Sequence, residues 1–121
     1  SPLRTAQYRI SLRGGDTERI VKCIDEFLSQ EEIMALRKTK KNETMVNIRP
    51  MIHELTAQYN NETDSAVMTA RVSFVEQATL KPDLLLEALC AHCGAQLPKC
   101  EIRRTHLFGE VNGQVIPLID M

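Results

Sequence analysis

The stretch "AVMTARVSF", residues 66–74, places Ala66, Met68, Ala70, Val72 and Phe74 two apart, with Val67, Thr69, Arg71 and Ser73 between them. A two-residue period is that of a strand with one buried face, because successive side chains leave a strand on opposite sides. The stretch therefore predicts a strand with a core side and an open side. The same reading carries outward. Tyr8, Ile10 and Leu12 alternate with Gln7, Arg9, Ser11 and Arg13, a second half-buried strand ended by Gly14-Gly15. Leu55, Ala57 and Tyr59 share one face of a strand that Asn60 to Ser65 turns back into residues 66–74.

Two helices separate these strands. Ile20, Val21, Ile24, Phe27 and Leu28 recur at helical spacing, with Cys23 on the flank of the stripe and Asp16 as the expected cap; this helix should stop near Ser29. Pro82 suits the first position of a second helix, whose apolar side holds Leu85, Leu86, Leu89, Cys90 and Cys93. Gly94 is its stop, since glycine readily takes the left-handed conformation just past a helix end. Ile33 to Thr39 reads as a strand, residues 40–43 as a polar turn and Met45 to Ile48 as a short strand broken by Pro50. Glu101 to Val111 reads as a strand that returns through the turn Asn112-Gly113 into Gln114 to Leu118. This order predicts an α+β fold: a ferredoxin-like split β-α-β sandwich, largely antiparallel, with two helices on one face and a C-terminal hairpin.

The 121 residues suffice for one domain with its own core. A net charge of −1 excludes a globally basic nucleic-acid binder, so any binding charge must be local. No apolar run is long enough for a membrane helix, and the chain reads as cytoplasmic, with no membrane partner. In that compartment the four cysteines are expected as reduced thiols. Cys90 and Cys93, three apart, lie on one helix face with Leu86, which is core packing. The sequence "LCAHCGAQLPKC", residues 89–100, lacks the second close pair of a zinc knuckle. No metal or other cofactor is therefore expected; the alternative is a zinc site made by Cys90, Cys93, Cys100 and His106. A redox role is disfavoured, because the pair closes a helix and the helix dipole there raises a thiol pKa. "RGGD" at residues 13–16 reads as a plain turn, and His53-Glu54 as strand neighbours pointing to opposite faces. No catalytic set is visible.

Charge placement is more informative. "RKTKK", residues 37–41, places Arg37, Lys38, Lys40 and Lys41 at a strand end and turn, with Arg49 expected nearby on the next strand. The polar sides of three strands carry Arg9 and Arg13, Arg71, and Arg103, which should share the sheet face away from the helices. Such a face resembles that of an RNA-recognition module without its stacking aromatics, since Tyr8, Tyr59 and Phe74 fall on the apolar side. Contact to the phosphates alone is what remains for RNA.

At "RKTKKNETMVNIRPMIHEL" (residues 37–55), "LKPDLLLEAL" (80–89) and "IRRTHLF" (102–108) the chain resembles the radical SAM-linked bacterial domains of unknown function. It differs at Asn47, where those proteins often carry Asp before Ile-Arg-Pro. The resemblance implies that residues 1–121 form a single domain, the C-terminal part of a longer protein. It further implies a noncatalytic accessory domain associated with a cobalamin-binding radical SAM enzyme, one that helps to bind or present an RNA or protein substrate. The alternative it leaves open is part of an enzyme domain, for RNA or ribosome-related modification, whose active site requires an N-terminal half.

Overall fold

A computed structural model of the chain describes residues 4–75, 79–111 and 113–120. Strand β1 (Arg4–Arg13) leads into helix α1 (Thr17–Leu28), strands β2 (Met34–Lys38) and β3 (Glu43–Asn47), and a 3-10 turn (Arg49–Met51). Strands β4 (Ile52–Asn60) and β5 (Ser65–Ser73), helix α2 (Pro82–Cys93), and strands β6 (Lys99–Val111) and β7 (Gln114–Asp120) follow. A five-stranded sheet has the order β4-β5-β1-β6-β7, and all its pairings are antiparallel. Without β2, β3 and the edge strand β7, the order β4-β5-β1-β6 with one helix after β1 and one after β5 is the ferredoxin-like split β-α-β sandwich.

The alternation in residues 66–74 sets the inner face as expected. Ala66, Met68, Ala70 and Val72 are buried on β5, beside Ile10 and Leu12 of β1 and Leu55 of β4. Ile20, Ile24 and Phe27 of α1 and Leu85, Leu86 and Leu89 of α2 close the core from above. Pro82 opens α2, and Gly94 ends it at φ 63°, where Ala95 N–H reaches the Cys90 carbonyl at 2.9 Å. Gly113 has φ 79°, and Val111 pairs with Gln114 across the last hairpin; Asn112, the other expected turn residue, lies outside the described residues.

One expectation is corrected, and two features lay outside the sequence reading. Asp16 does not cap α1 with its side chain: its backbone (φ −89°, ψ 20°) is not in the extended region a capping residue uses. Its Oδ2 instead accepts the Gln96 amide at 2.9 Å, tying the start of α1 to the segment after α2. Strands β2 and β3 do not join the main sheet. They form a separate two-stranded ribbon, because five residues of each pair locally from Met34↔Asn47 to Lys38↔Glu43 and the 3-10 turn redirects the chain before β4. Strand β4 is bulged between Ile52 and Glu54. His53 is the extra residue there, which is why Ile52 and Leu55, three apart, are both buried.

The ribbon is fastened at its base. Ile48 N–H donates to the Ile33 carbonyl at 2.8 Å, and the Asn47 side-chain oxygen accepts Ile33 N–H at 2.9 Å and Arg49 N–H at 3.2 Å. An aspartate at this position would supply the same acceptor. Asn47→Ala is expected to cost about 1–2 kcal/mol, because it strands two amides where the ribbon meets the core. Asn47→Asp should stay within about 0.5 kcal/mol of the parent. Urea midpoints for both variants check this; equal losses in the two would refute the acceptor role.

Candidate functional site

The basic turn caps the β2–β3 ribbon, and the ribbon has two unlike faces. Ala35 is buried, and Val46 packs against the core beside it, so that face rests on the body of the domain. Met34, Leu36 and Met45 point the other way and are 49%, 37% and 55% exposed. Leu36 lies directly opposite Met45. Lys38, Lys40 and Lys41 stand exposed at the turn end of this apolar strip, Arg37 shares the face of Ala35 and is half-buried, and Thr39 and Asn42 close the turn by a backbone bond of 2.8 Å. Beside it runs a groove of about 250 Å³ between β2 and α2, bordered by Leu36, Lys38, Lys81, Leu84 and Glu87.

Arg49 is placed otherwise than expected. Its Nε donates to the Leu28 carbonyl and its Nη1 to the Ile52 carbonyl, both at 3.2 Å, so it joins α1 to β4 and does not extend the basic turn. The apolar strip was missed by the sequence reading. Its signal was the unbroken run Ile33, Met34, Ala35 and Leu36, which loads both faces of one strand with apolar side chains when only one face can be covered.

The register places Arg9, Arg13, Arg71 and Arg103 together on the sheet face away from the helices. Arg9 lies opposite Arg103, and Arg13 opposite Lys99. Like charges directly across a ladder repel. Arg9, Arg13, Lys99 and Arg103 take part in neither of the ion pairs found among the described residues, which are Lys22–Glu18 and Arg71–Glu54. Arg71 is used internally: it approaches Glu54 at 3.9 Å and donates to Thr5 Oγ1 at 3.3 Å. Next to it, His53 Nε2 lies 2.9 Å from Ser73 Oγ, and burial, then the Arg71 charge, lower the His53 pKa. The bulge has thus turned His53 onto a polar cluster.

The open face also carries an aromatic pair. Tyr8 and Tyr59 do lie on the helix side, with Tyr59 donating to Asp64 at 2.7 Å and its phenol raised to about 12, chiefly by that bond. Phe74 lies under Arg104, whose guanidinium carbon is 5.4 Å from the ring centroid. A bulge in β6, however, inserts Thr105, so that His106 faces Gln7 and Phe108 faces Thr5. The two rings stack at 5.5 Å with an interplanar angle of 18°. A strand read as unbroken hides this, since one inserted residue exchanges the faces of everything beyond it.

The cysteines are not all thiols. Cys23 of α1 and Cys93 of α2 form a disulfide with Cα atoms 6.0 Å apart, which overturns the expectation for that pair. Two helices packed side by side bring their flanks within reach of one bridge. Cys90 is buried and Cys100 half-buried, and burial, then Asp16 and Cys100, push the Cys90 thiol up. The alternative set Cys90, Cys93, Cys100 and His106 is not assembled, because Cys93 is joined to Cys23 and His106 lies on the open face. Cys23, Glu26 and His92 do gather, their ligand atoms within 4.8 Å of one another.

Among the described residues, no helix is long and apolar enough to cross a membrane. No curated protein and no solved structure matches the sequence. The sequence model of a bacterial family described as "uncharacterized protein conserved in bacteria (DUF2344)" matches residues 1–82. That span includes β1, α1, the whole ribbon and the β4–β5 hairpin, more than half of the chain, and the chain therefore belongs to this family.

Proposed function

We propose that this domain is a noncatalytic accessory module that docks on a cobalamin-binding radical SAM enzyme through the β2–β3 ribbon. The observation that supports this reading is the ribbon itself: an apolar strip of Met34, Leu36 and Met45 on a two-stranded element outside the main sheet, with Lys38, Lys40 and Lys41 exposed at its turn end and Arg37 on the reverse face. Contiguous exposed apolar side chains mark an interaction surface, and the surrounding cations favour an acidic rim on the partner. The identity of the partner rests on the resemblance of "RKTKKNETMVNIRPMIHEL" and the two later blocks to radical SAM-linked domains.

A second role in presenting RNA is favoured by the opposite sheet face, where Arg9 and Arg103 face each other and the His106–Phe108 stack lies two strands from Arg71. Arginines there neutralise phosphates, and one stacked pair offers at most a single base platform.

Titration of the chain against the radical SAM enzyme at low and high salt tests the docking. The Lys38→Ala, Lys40→Ala, Lys41→Ala triple variant is expected to bind about tenfold or more weakly at low salt. No binding by the parent chain, or equal binding by the variant, would refute it. If RNA is retained through the basic turn, the same variant should flatten the slope of log affinity against log salt by up to about two units. An unchanged slope would assign RNA to the arginine face instead.

A further inference from the structure

The middle and last turn of α1 and the last turn of α2 bring four donor groups to one place. Cys23 and Glu26 are three apart on α1 and share a face, while His92 and Cys93 close the last turn of α2. The Cys23 sulfur, a Glu26 carboxylate oxygen and a His92 ring nitrogen lie within 4.8 Å of one another, and Cys93 is in bonding contact with Cys23. They border an open surface cleft of about 550 Å³ together with Glu18, Arg19 and Lys22. The neighbouring cations are engaged elsewhere: Lys22 pairs with Glu18 at 2.9 Å and Arg19 donates to the Gly94 carbonyl at 3.1 Å. Glu26 takes part in neither ion pair among the described residues. The His92 ring rests against Phe27, centroids 5.8 Å apart, so a fully buried side chain orients it.

We propose that the reduced form of this cluster is a zinc site made by Cys23, Glu26, His92 and Cys93, and that the Cys23–Cys93 disulfide is its metal-free oxidised form. Two thiolates, an imidazole and a carboxylate are a four-ligand set for a divalent ion of borderline softness, and zinc accepts all three donor types in tetrahedral geometry. Ligand atoms about 3.3–3.8 Å apart surround a tetrahedral zinc, so the Cys23, Glu26 and His92 atoms, within 4.8 Å of one another, need only small adjustments once reduction lets the two sulfurs part. The interconversion balances. A dithiol reductant gives two electrons and two protons to the disulfide, leaving two thiols here and becoming a disulfide itself. Zinc then displaces one proton from each thiol as the thiolates coordinate. A hydroperoxide reverses the process: two thiolates lose two electrons to it, the sulfurs join, the peroxide takes those electrons and two protons from solvent to become water and alcohol, and the ion leaves. The sequence reading expected no metal, and this site shares only Cys93 with the alternative set weighed there.

The test uses the full chain, reduced with a dithiol, freed of reductant without air, and titrated with zinc against a chromophoric chelator. One ion per chain is expected with the release of protons, and none for the oxidised chain. Cobalt in its place should give a thiolate-to-metal charge-transfer band. Glu26→Gln and His92→Gln, both at exposed positions, are expected to weaken binding by about tenfold or more while leaving the circular dichroism spectrum unchanged. Cys90→Ser and Cys100→Ser should leave it unaltered. Absence of stoichiometric binding by the reduced chain, full affinity in both Glu26→Gln and His92→Gln, or loss of binding in Cys100→Ser would each overturn the assignment.

Discussion

Phe27→Ala is expected to remove about 3–5 kcal/mol from the stability of the domain. Phe27 is fully buried in the last turn of α1, one of the largest side chains in the core, and its ring meets His92 of α2. Truncation there costs the transfer free energy of a benzyl group. It also opens a cavity between two helices whose approach is held by the bridge one turn away, so the gap cannot collapse. Against a total stability of about 5–15 kcal/mol, this is enough to leave a large unfolded fraction at physiological temperature. Urea denaturation followed by circular dichroism reads the loss directly. Leu97→Ala, at a position 48% exposed, is the control and should shift stability by no more than about 0.5 kcal/mol. A loss below about 1 kcal/mol for Phe27→Ala would contradict the core described above.

Reduction of the Cys23–Cys93 bridge in chelator-treated buffer is expected to lower stability by roughly 4 kcal/mol. The bridge spans a sequence separation of 70 residues, and a crosslink of that length removes a large share of the unfolded chain's freedom. The double variant Cys23→Ser, Cys93→Ser should match the reduced parent and show no response to reductant. Equal urea midpoints for the oxidised and reduced parent would refute the bridge. Addition of zinc to the reduced parent, but not to the double variant, should recover part of the loss, since an ion bound only by the folded state stabilises it.

The architecture was legible because its signals are periodic and local. Residues 66–74, the alternation around Ile10 and the stripe through Ile20 and Phe27 each determine a buried face without reference to distant residues. What escaped the sequence was every feature produced by a single inserted residue or by long-range approach. The extra residues His53 and Thr105 exchange the faces of β4 and β6, and no composition rule marks where a ladder will slip. Cys23 meets Cys93 only because α1 and α2 pack side by side, which a helical wheel of either alone does not show. Among the candidate contacts, the charges of the basic turn and of the open face were readable as local runs and alternations. Arg49 was not, because a backbone carbonyl of α1 captures its side chain.

The bridge between the helices also has a mechanical meaning. The segment it closes contains the C-terminal half of α1, the ribbon, β4, β5 and all of α2, while β1, β6 and β7 lie outside it. Tension applied at the two termini would therefore fall on the outer strands and the β1–β6 ladder, and the ring would be bypassed by the load. With the bridge intact, the fully stretched chain is shorter by about 240 Å, the length of the residues it shields at roughly 3.4 Å each. Breaking one bond thus converts a tether of fixed reach into one more than twice as long.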